Sequence, residues 1–265
     1  MENSMNRYSK LIETIFFNQY KKGIKEIRFE RKDLISTAKK LKIDLPKNLG
    51  DVVYSFRYRA ALPTSVVKTA PKGFEWVIRP IGKAKYMFSL SDMPRIIPSK
   101  IYAETKIPDA TPGIIRKYAF NDEQGLLAKL RYNRLIDIFT GITCYSLQNL
   151  LRTTVPEMGQ IETDELYVGL DKKGVHYILP IQAKGGSDQL GIIQIEQDFA
   201  MCQIKFPKLV CIPIAAQFID NDLIALFSFE LSNKGVSISA EKHYRLVAPK
   251  DLSENELEQY KKRSE

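Results

Sequence analysis

Two polar segments in the C-terminal half of the chain carry the residue types of a metal-dependent hydrolytic site. The first is the acidic stretch 162–171, which contains Asp164, and the second is Gln182-Ala183-Lys184. Because residues two apart in a strand share a face, we expect Gln182 and Lys184 to project together. Asp164, on the strand predicted to pair with theirs, can reach the same place.

The expected chemistry is the binding of a divalent metal ion such as Mg²⁺. A carboxylate, an amide oxygen and a backbone carbonyl are ligands that suit this hard cation. Glu123, at the first turn of a predicted helix, is a candidate for a second carboxylate. We predict Asp164, Gln182 and Glu123 as metal ligands, and Lys184 as the residue that orients a water molecule and offsets developing negative charge.

Several alternatives remain open for these residues. Glu165 or Asp171 can replace Asp164 as the metal-binding acid, and a Q-x-K triplet also occurs by chance at a solvated strand end. Gln182 carries no charge, so the site should bind metal more weakly than a site with two acids. Pro180 cannot donate a ladder hydrogen bond, which suggests a bulge just before the polar residues.

The surrounding pattern predicts a sheet with helices packed on its faces. We predict helices over 121–140, 188–203 and 255–263, the last with a capping box from Ser253 and Glu256. Strands are predicted over 144–151, 161–170, 175–183, 209–215 and 223–229, with turns at 173–174 and 220–222.

This layout resembles the PD-(D/E)XK superfamily, to which most type II restriction endonucleases belong. The resemblance covers about residues 120–235 and is carried by 162–171 and by Gln182-Ala183-Lys184, separated by one hairpin. Asp164 matches the first acidic position of the family. Gln182 stands where the family has Asp or Glu, a departure that some members tolerate. The resemblance implies a Mg²⁺-dependent endonuclease, with Mn²⁺ as a substitute, that leaves 5′-phosphate and 3′-hydroxyl ends.

The N-terminal part shows a different order of elements. Helical apolar periodicity occurs over 9–20 and 32–41, and again from Pro46, with Leu49, Val52, Val53 and Phe56 as a buried stripe. A short strand at 26–30 comes between the first two helices, and a hairpin follows with Phe74, Trp76 and Ile78 facing Tyr86, Phe88 and Leu90.

Helix, strand, helix, helix and hairpin is an order that resembles a winged helix, over roughly residues 8–92. In that family the third helix usually enters the major groove of DNA and the hairpin lies along the backbone. The resemblance implies DNA contacts from the third helix and from the hairpin, by the residues Lys47, Asn48, Asp51, Ser55, Arg57, Arg59, Lys83 and Lys85. The alternative is a protein-binding winged helix whose charges are merely solvated. Phe56 and Tyr58 are better explained by packing than by base stacking.

The distribution of charge agrees with a division into two parts. The 265 residues carry a formal net charge of +9. Residues 1–100 contain 21 basic and 9 acidic side chains, and the remainder contains 19 and 22. A basic module favours a polyanionic partner, although charge alone equally fits a solubilising surface. We predict a winged-helix domain over 1–92, a proline-rich connector over 93–120 and a nuclease domain over 121–265.

Composition excludes several classes of protein. No apolar run approaches the ~20 residues of a membrane span, and the first ten residues lack the apolar core of a signal peptide. The cysteines Cys144, Cys202 and Cys211 do not suggest a disulfide scaffold, and the two histidines stand far apart, which argues against a zinc site. These features favour a cytoplasmic protein.

Taken together, the expectation is an α/β (α+β) protein that cuts double-stranded DNA at specific sites as a type II restriction enzyme. The resemblance further implies a homodimer and a functional pairing with a DNA methyltransferase. Two alternatives stay open: a DNA-binding regulator with an inactive nuclease-like domain, and a nuclease for branched, damaged or methylated DNA.

Overall fold

The computed structural model describes residues 2–263 apart from 121, 157, 186–189 and 234, with side chains from residue 7 onward. The fold is mixed α and β. The chain divides into two compact units: residues 152–161 and 191–197 group with residues 1–96, and the remainder forms the second unit. No helix in the described ranges is long and apolar enough to cross a membrane.

The first unit combines helices with a three-stranded antiparallel sheet. Its helices are α1 (Glu2–Phe17), α2 (Arg31–Leu41), α3 (Gly50–Tyr58) and α4 (Thr64–Val67). Its strands are β1 (Glu26–Glu30), β2 (Glu75–Gly82) and β3 (Lys85–Ser91), followed by the short β4 (Arg95–Ile96). In the sheet, β3 lies between β1 and β2, so the predicted hairpin is confirmed.

The core of the first unit follows the predicted apolar periodicity with three exceptions. Leu11, Phe16, Val52, Phe56 and Phe88 are among its buried side chains. In contrast, Ile35, one of the apolar residues on the predicted face of helix 32–41, and Phe74, on the predicted hairpin, are exposed, and Leu49 is only half-buried. In α2 the polar Thr37 is buried instead of Ile35.

The third helix begins later than predicted. Pro46 lies outside α3, whose first residue is Gly50. The side chain of Asn48 accepts a hydrogen bond from the Gly50 N–H at 3.1 Å and donates one to Asp51 at 2.7 Å. In a helix that began at Pro46, the Gly50 N–H would donate to a backbone carbonyl of the preceding turn. Here it donates to the Asn48 side chain instead, so the helix begins only at Gly50.

The second unit is built around a large mixed sheet flanked by helices. Its strands are β5 (Glu104–Pro108), β6 (Thr143–Val155), β7 (Gly159–Leu170), β8 (His176–Lys184), β9 (Leu190–Gly191), β10 (Val210–Cys211), β11 (Ile214–Phe218), β12 (Leu223–Ser232) and β13 (Gly235–Val247). Its helices are α5 (Gly113–Tyr118), α6 (Glu123–Tyr132), α7 (Leu135–Thr140), α8 (Ile192–Lys205) and α9 (Glu254–Lys262), with a 3₁₀ turn at Pro249–Asp251. Of these elements, the end of β6, the start of β7, residue 191 of β9 and residues 192–197 of α8 group with the first unit.

The strand order in this sheet is β5-β13-β12-β11-β8-β7-β6, with β10 also pairing with β8. Strand β8 runs antiparallel to β7 and parallel to β11, so it lies in the interior of the sheet. The leucines of α6, together with Ile181 and Ala183 of β8, belong to one buried apolar cluster. The polar end of β8 is therefore held by core packing on the strand that carries it.

The prediction of one continuous helix over 121–140 is wrong, because this segment forms two helices, α6 and α7. Arg134 has a left-handed backbone with φ of 50°, which separates α6 from α7. The side chain of Asn133 is buried and donates to Thr111, so this residue closes α6 rather than continuing it. As a consequence Ile138, predicted to be buried, is exposed. Asn121, where the prediction began, lies outside the described residues, as do 188 and 189 at the start of the predicted helix 188–203.

The bulge predicted at Pro180 is also wrong. The pairing of β7 with β8 runs without a shift from Glu165 opposite Ile181 to Leu170 opposite His176. The N–H of Ile212 donates to the carbonyl of Ile178, so the parallel ladder would require residue 180 to donate to the Ile212 carbonyl. Pro180 cannot donate, and the neighbouring strand is interrupted here between β10 and β11.

Other predicted elements are confirmed with small shifts of their ends, except that the predicted strand 209–215 is divided into β10 and β11. Helix α9 begins with the expected capping box of Ser253 and Glu256. The three cysteines are free thiols. The long strand β13 and the short β5 were not predicted; β13 alternates apolar and polar residues from Val236 to Leu246 with one break at Lys242, a signal that could have located it, and β5 lies inside the proline-rich segment.

Candidate functional site

The end of the β7–β8 ladder brings Asp164, Gln182 and Lys184 together. The ladder ends with Glu165 opposite Ile181, so Asp164 and Gln182 are the next residues of their strands beyond its end. The backbone N–H of Ala183 donates to Asp164 Oδ2 at 2.8 Å. This hydrogen bond holds one carboxylate oxygen of Asp164 against β8, the strand that carries Gln182 and Lys184.

Helix α6 adds Glu123 to the same place. Lys184 Nζ lies 2.5 Å from Glu123 Oε1, with both side chains partly shielded from solvent. The helix starts here because the side chain of Asp122 caps it, accepting from the Gly125 N–H at 2.8 Å. An acidic residue in the first turn also complements the helix dipole.

Gly185 allows this close approach between β8 and α6. A Cβ atom on Gly185 would lie 2.9 Å from the backbone Cα and carbonyl carbon of Asp122 and 3.1 Å from the nitrogen of Glu123. Real Cβ atoms do not tolerate such contacts, so only glycine lets the strand end pass the start of α6 at this distance.

The side chain of Gln182 is buried and hydrogen-bonded to a residue that sequence reasoning missed. Its Nε2 donates to Asp198 Oδ2 at 3.0 Å and to the carbonyl of Glu162 at 3.1 Å. Thr163 Oγ1 donates to the other oxygen of Asp198 at 2.5 Å. Because both partners of Nε2 are acceptors, the orientation of the amide follows from the hydrogen bonds.

A sequence signal for Asp198 does exist. Asp198 stands three residues after Ile195 and four before Cys202, which places it on the buried stripe of α8. A carboxylate on the apolar face of a helix needs a partner inside the protein, and this could have identified it.

Burial dominates the electrostatics of the acids. Burial raises the pKa of Asp164, while the Ala183 N–H and Lys184 oppose the rise and the charges of Glu123 and Glu162 add to it. Burial also raises the pKa of Asp198 to about 7, against the hydrogen bonds from Thr163 and Gln182. The site is therefore shielded from solvent and contains several acids and one lysine. A bound cation would stabilise the ionised form of these acids.

The donor set fits a hard divalent cation that is held jointly with substrate. In the described part of the chain, no group of three or more His, Cys, Asp or Glu side chains forms a metal-binding cluster. Two carboxylates, Asp164 and Glu123, lie at this place, and the amide oxygen of Gln182, on the same strand end as Lys184, is the remaining candidate ligand. Mg²⁺ is often bound by one or two carboxylates together with water and substrate phosphates, which matches such a set.

The two alternative acids lie elsewhere. Glu165 is fully buried and accepts hydrogen bonds from Arg131 at 3.0 and 3.1 Å and from Ser146 at 2.5 Å. Asp171 lies at the opposite end of the β7–β8 ladder, where it accepts from the Lys173 and Val175 N–H groups in the hairpin turn. Both carboxylates have structural partners, and neither is brought beside Gln182 and Lys184.

The predicted DNA-contact residues of the first unit are mostly exposed. Solvent reaches the side chains of Lys47, Asn48, Asp51, Arg59, Lys83 and Lys85, whereas Ser55 and Arg57 are half-buried. Lys83 and Lys85 flank the turn between β2 and β3, as expected for a hairpin tip.

Arg57 differs from the other basic residues. Its Nε and Nη2 atoms are buried and have no hydrogen-bond partner among the described residues. Its guanidinium carbon lies 4.6 Å from the ring centre of Tyr58, whose hydroxyl donates to Gln197 Oε1 at 2.8 Å. In this conformation Arg57 offers less of its guanidinium to a phosphate than Arg59, while Phe56 and Tyr58 pack as predicted.

Comparison with known proteins gives no match: no family model, no curated protein and no solved structure is similar to this chain.

Proposed function

We propose that this protein is a Mg²⁺-dependent endonuclease for double-stranded DNA, of the type II restriction class and with a PD-(D/E)XK nuclease domain. The observation that carries the proposal is the convergence of Asp164, Gln182, Lys184 and Glu123 at one end of the β7–β8 ladder. The order of α6, α7, β6, β7, β8, α8 and β11, with β11 parallel to β8, supports the same assignment.

The roles follow from the contacts of each side chain. Asp164, oriented by the Ala183 N–H, and Glu123, at the start of α6, would hold the cation with the amide of Gln182. When bound, Mg²⁺ lowers the pKa of a coordinated water and stabilises charge on the phosphate. Lys184, released from Glu123, would donate to a phosphate oxygen and offset the negative charge that develops there.

The first unit is the proposed DNA-binding module, a winged helix. Its order of helices and its antiparallel sheet with β3 between β1 and β2 support this proposal. The exposed lysines at the hairpin tip are suited to phosphate contact, and the exposed face of α3 is suited to the major groove.

The decisive experiment is cleavage of unmethylated plasmid and phage DNA by the purified protein, with Mg²⁺ or Mn²⁺. We expect discrete fragments from the wild type and none from Asp164→Asn or Lys184→Met. Lys173→Met is the matched control, because Lys173 is exposed in the β7–β8 turn, and it should cut like the wild type. Asp171→Asn tests the alternative acid, and loss of cleavage in this variant alone would overturn the choice of Asp164.

The competing function is a DNA-binding regulator with an inactive nuclease-like domain. It is favoured by the neutral Gln182 at an acidic position of the family and by the lack of a three-acid cluster in the described residues. Binding of DNA without cleavage, across several DNAs and both cations, would establish this function instead. Cleavage restricted to branched, damaged or methylated DNA would redirect the proposal to a repair or modification-dependent nuclease.

We further propose that the protein acts as a homodimer, since two strands of a palindromic site require two active sites. Light scattering of the purified protein with and without DNA measures this directly. A neighbouring methyltransferase gene would support a restriction role over a repair role.

A further inference from the structure

The strongest unassigned feature of the second unit is the buried hydrogen-bond network of Thr163, Gln182 and Asp198. Each of these three side chains is only 1% exposed. Asp198 accepts from Gln182 Nε2 at 3.0 Å with one oxygen and from Thr163 Oγ1 at 2.5 Å with the other. The network joins α8 to the strands β7 and β8.

Burial of a carboxylate is unfavourable unless hydrogen bonds compensate it, so the network needs a reason to exist. Apolar residues would fill the space at lower cost in free energy. When ionised, this carboxylate places a negative charge in direct contact with the amide of Gln182.

The geometry of the amide explains what Asp198 can do. A glutamine amide has a donor end and an acceptor end of similar shape, and rotation by half a turn exchanges them. When it is ionised, the Asp198 carboxylate only accepts hydrogen bonds and therefore requires the nitrogen of Gln182 on its own side. The carbonyl of Glu162 reinforces this orientation at 3.1 Å. The amide oxygen is thereby turned away from Asp198 and from the Glu162 carbonyl.

We propose that Asp198 is a positioning residue that fixes the orientation of the Gln182 amide and thereby sets the affinity of the Asp164 site for a divalent cation. This inference rests on the proposed function, because it assumes that the site binds such a cation. Outer contacts of metal ligands typically change metal affinity by about 10–100-fold when they are removed.

The test is Mn²⁺ binding to the full-length protein, measured without DNA by electron paramagnetic resonance of the free ion. Asp198→Ala should weaken binding by about tenfold or more. Asp198→Asn should stay close to the wild type, because its oxygen can accept from Gln182 and its nitrogen can donate to Thr163. Asp109→Ala is the matched control: it removes a shielded carboxylate whose partners are Arg116, Thr111 and Asn133, and should leave Mn²⁺ binding unchanged.

The outcomes separate this inference from the proposed function. If the wild type binds no Mn²⁺ and cuts no DNA, the metal site fails and the inference fails with it. If the wild type binds Mn²⁺ but Asp198→Ala binds equally well, or both Asp198 variants lose the same affinity, only the positioning role is overturned.

A second measurement covers the case in which Asp198→Ala does not fold. Gln182→Glu puts two buried carboxylates in contact and should lower the Tm. Adding Asp198→Asn should raise it again, because the new amide can donate to the new carboxylate. A double variant no more stable than Gln182→Glu would show that the two side chains are not coupled and would overturn the proposal.

Discussion

Lys184 Nζ lies 2.5 Å from Glu123 Oε1, which joins the end of strand β8 to the first residue of α6. The two residues are 61 positions apart in the sequence. In this structure, Lys184 is therefore paired with Glu123, one of the acids that would hold a cation.

The first prediction concerns this ion pair. In metal-free protein, Lys184→Met and Glu123→Gln should each lower the free energy of unfolding, and the double variant should lose less than their sum by about 1 kcal/mol. Urea unfolding of the four proteins at low salt measures the coupling. The coupling free energy should be smaller at high salt, since the pair is partly exposed. Strictly additive losses in stability would contradict a direct interaction between the two side chains.

The second prediction concerns Gly185. Gly185→Ala should push the start of α6 away from β8, with a loss of about 1–3 kcal/mol in stability and a much larger loss of cleavage. The control is Gly113→Ala, where no atom lies within 4 Å of the added Cβ. Stability from urea unfolding and cleavage of plasmid DNA are compared for both variants. A Gly185→Ala protein as stable and active as the control would show that the close approach is not required.

The third prediction concerns pH. The pKa of Asp198 is raised to about 7 in the folded protein, mainly by burial and in small part by the charge of Asp164. In the unfolded chain the value is about 3.9. The folded state therefore binds more protons between these values, and stability falls as the pH rises from about 4 to about 7.

Asp198→Asn lacks this titration. From about pH 5 to about pH 8, the wild type should lose at least about 1 kcal/mol of stability relative to Asp198→Asn. Urea unfolding of both proteins across this range gives the difference. Parallel stability curves would show that Asp198 does not retain its proton in the folded state.

The fourth prediction concerns DNA binding by the hairpin. Lys83→Ala should weaken binding to unrelated duplexes alike and reduce the slope of log K against log salt by about one unit. Lys22→Ala, an exposed lysine outside the proposed contact residues, is the control. Fluorescence anisotropy over a salt series measures both slopes; equal slopes for Lys83→Ala and the wild type would remove Lys83 from the interface.

The sequence by itself determined most of the elements and part of the site. Period-3.6 and period-2 patterns located α1, β1, α2 and the β2–β3 hairpin, since each of these buries one face locally. The same alternation predicted that Gln182 and Lys184 share a face of β8, whereas in the structure Gln182 contacts Asp198 of α8 and Lys184 contacts Glu123 of α6. The predicted pairing with the preceding strand brings Asp164 to the Ala183 N–H at the end of β8, because a hairpin fixes which ends of two strands meet.

Only the tertiary structure decided the remaining contacts. Asp198 reaches Gln182 because α8 packs its buried stripe on the sheet, and Glu123 reaches Lys184 because Gly185 lets α6 approach the end of β8. Neither distance follows from spacing along the chain, since each depends on where a helix docks. The break of the predicted 121–140 helix at Arg134 and the exposure of Ile138 have the same origin. Local periodicity specifies which face of an element is apolar, but packing between elements decides which polar side chains meet.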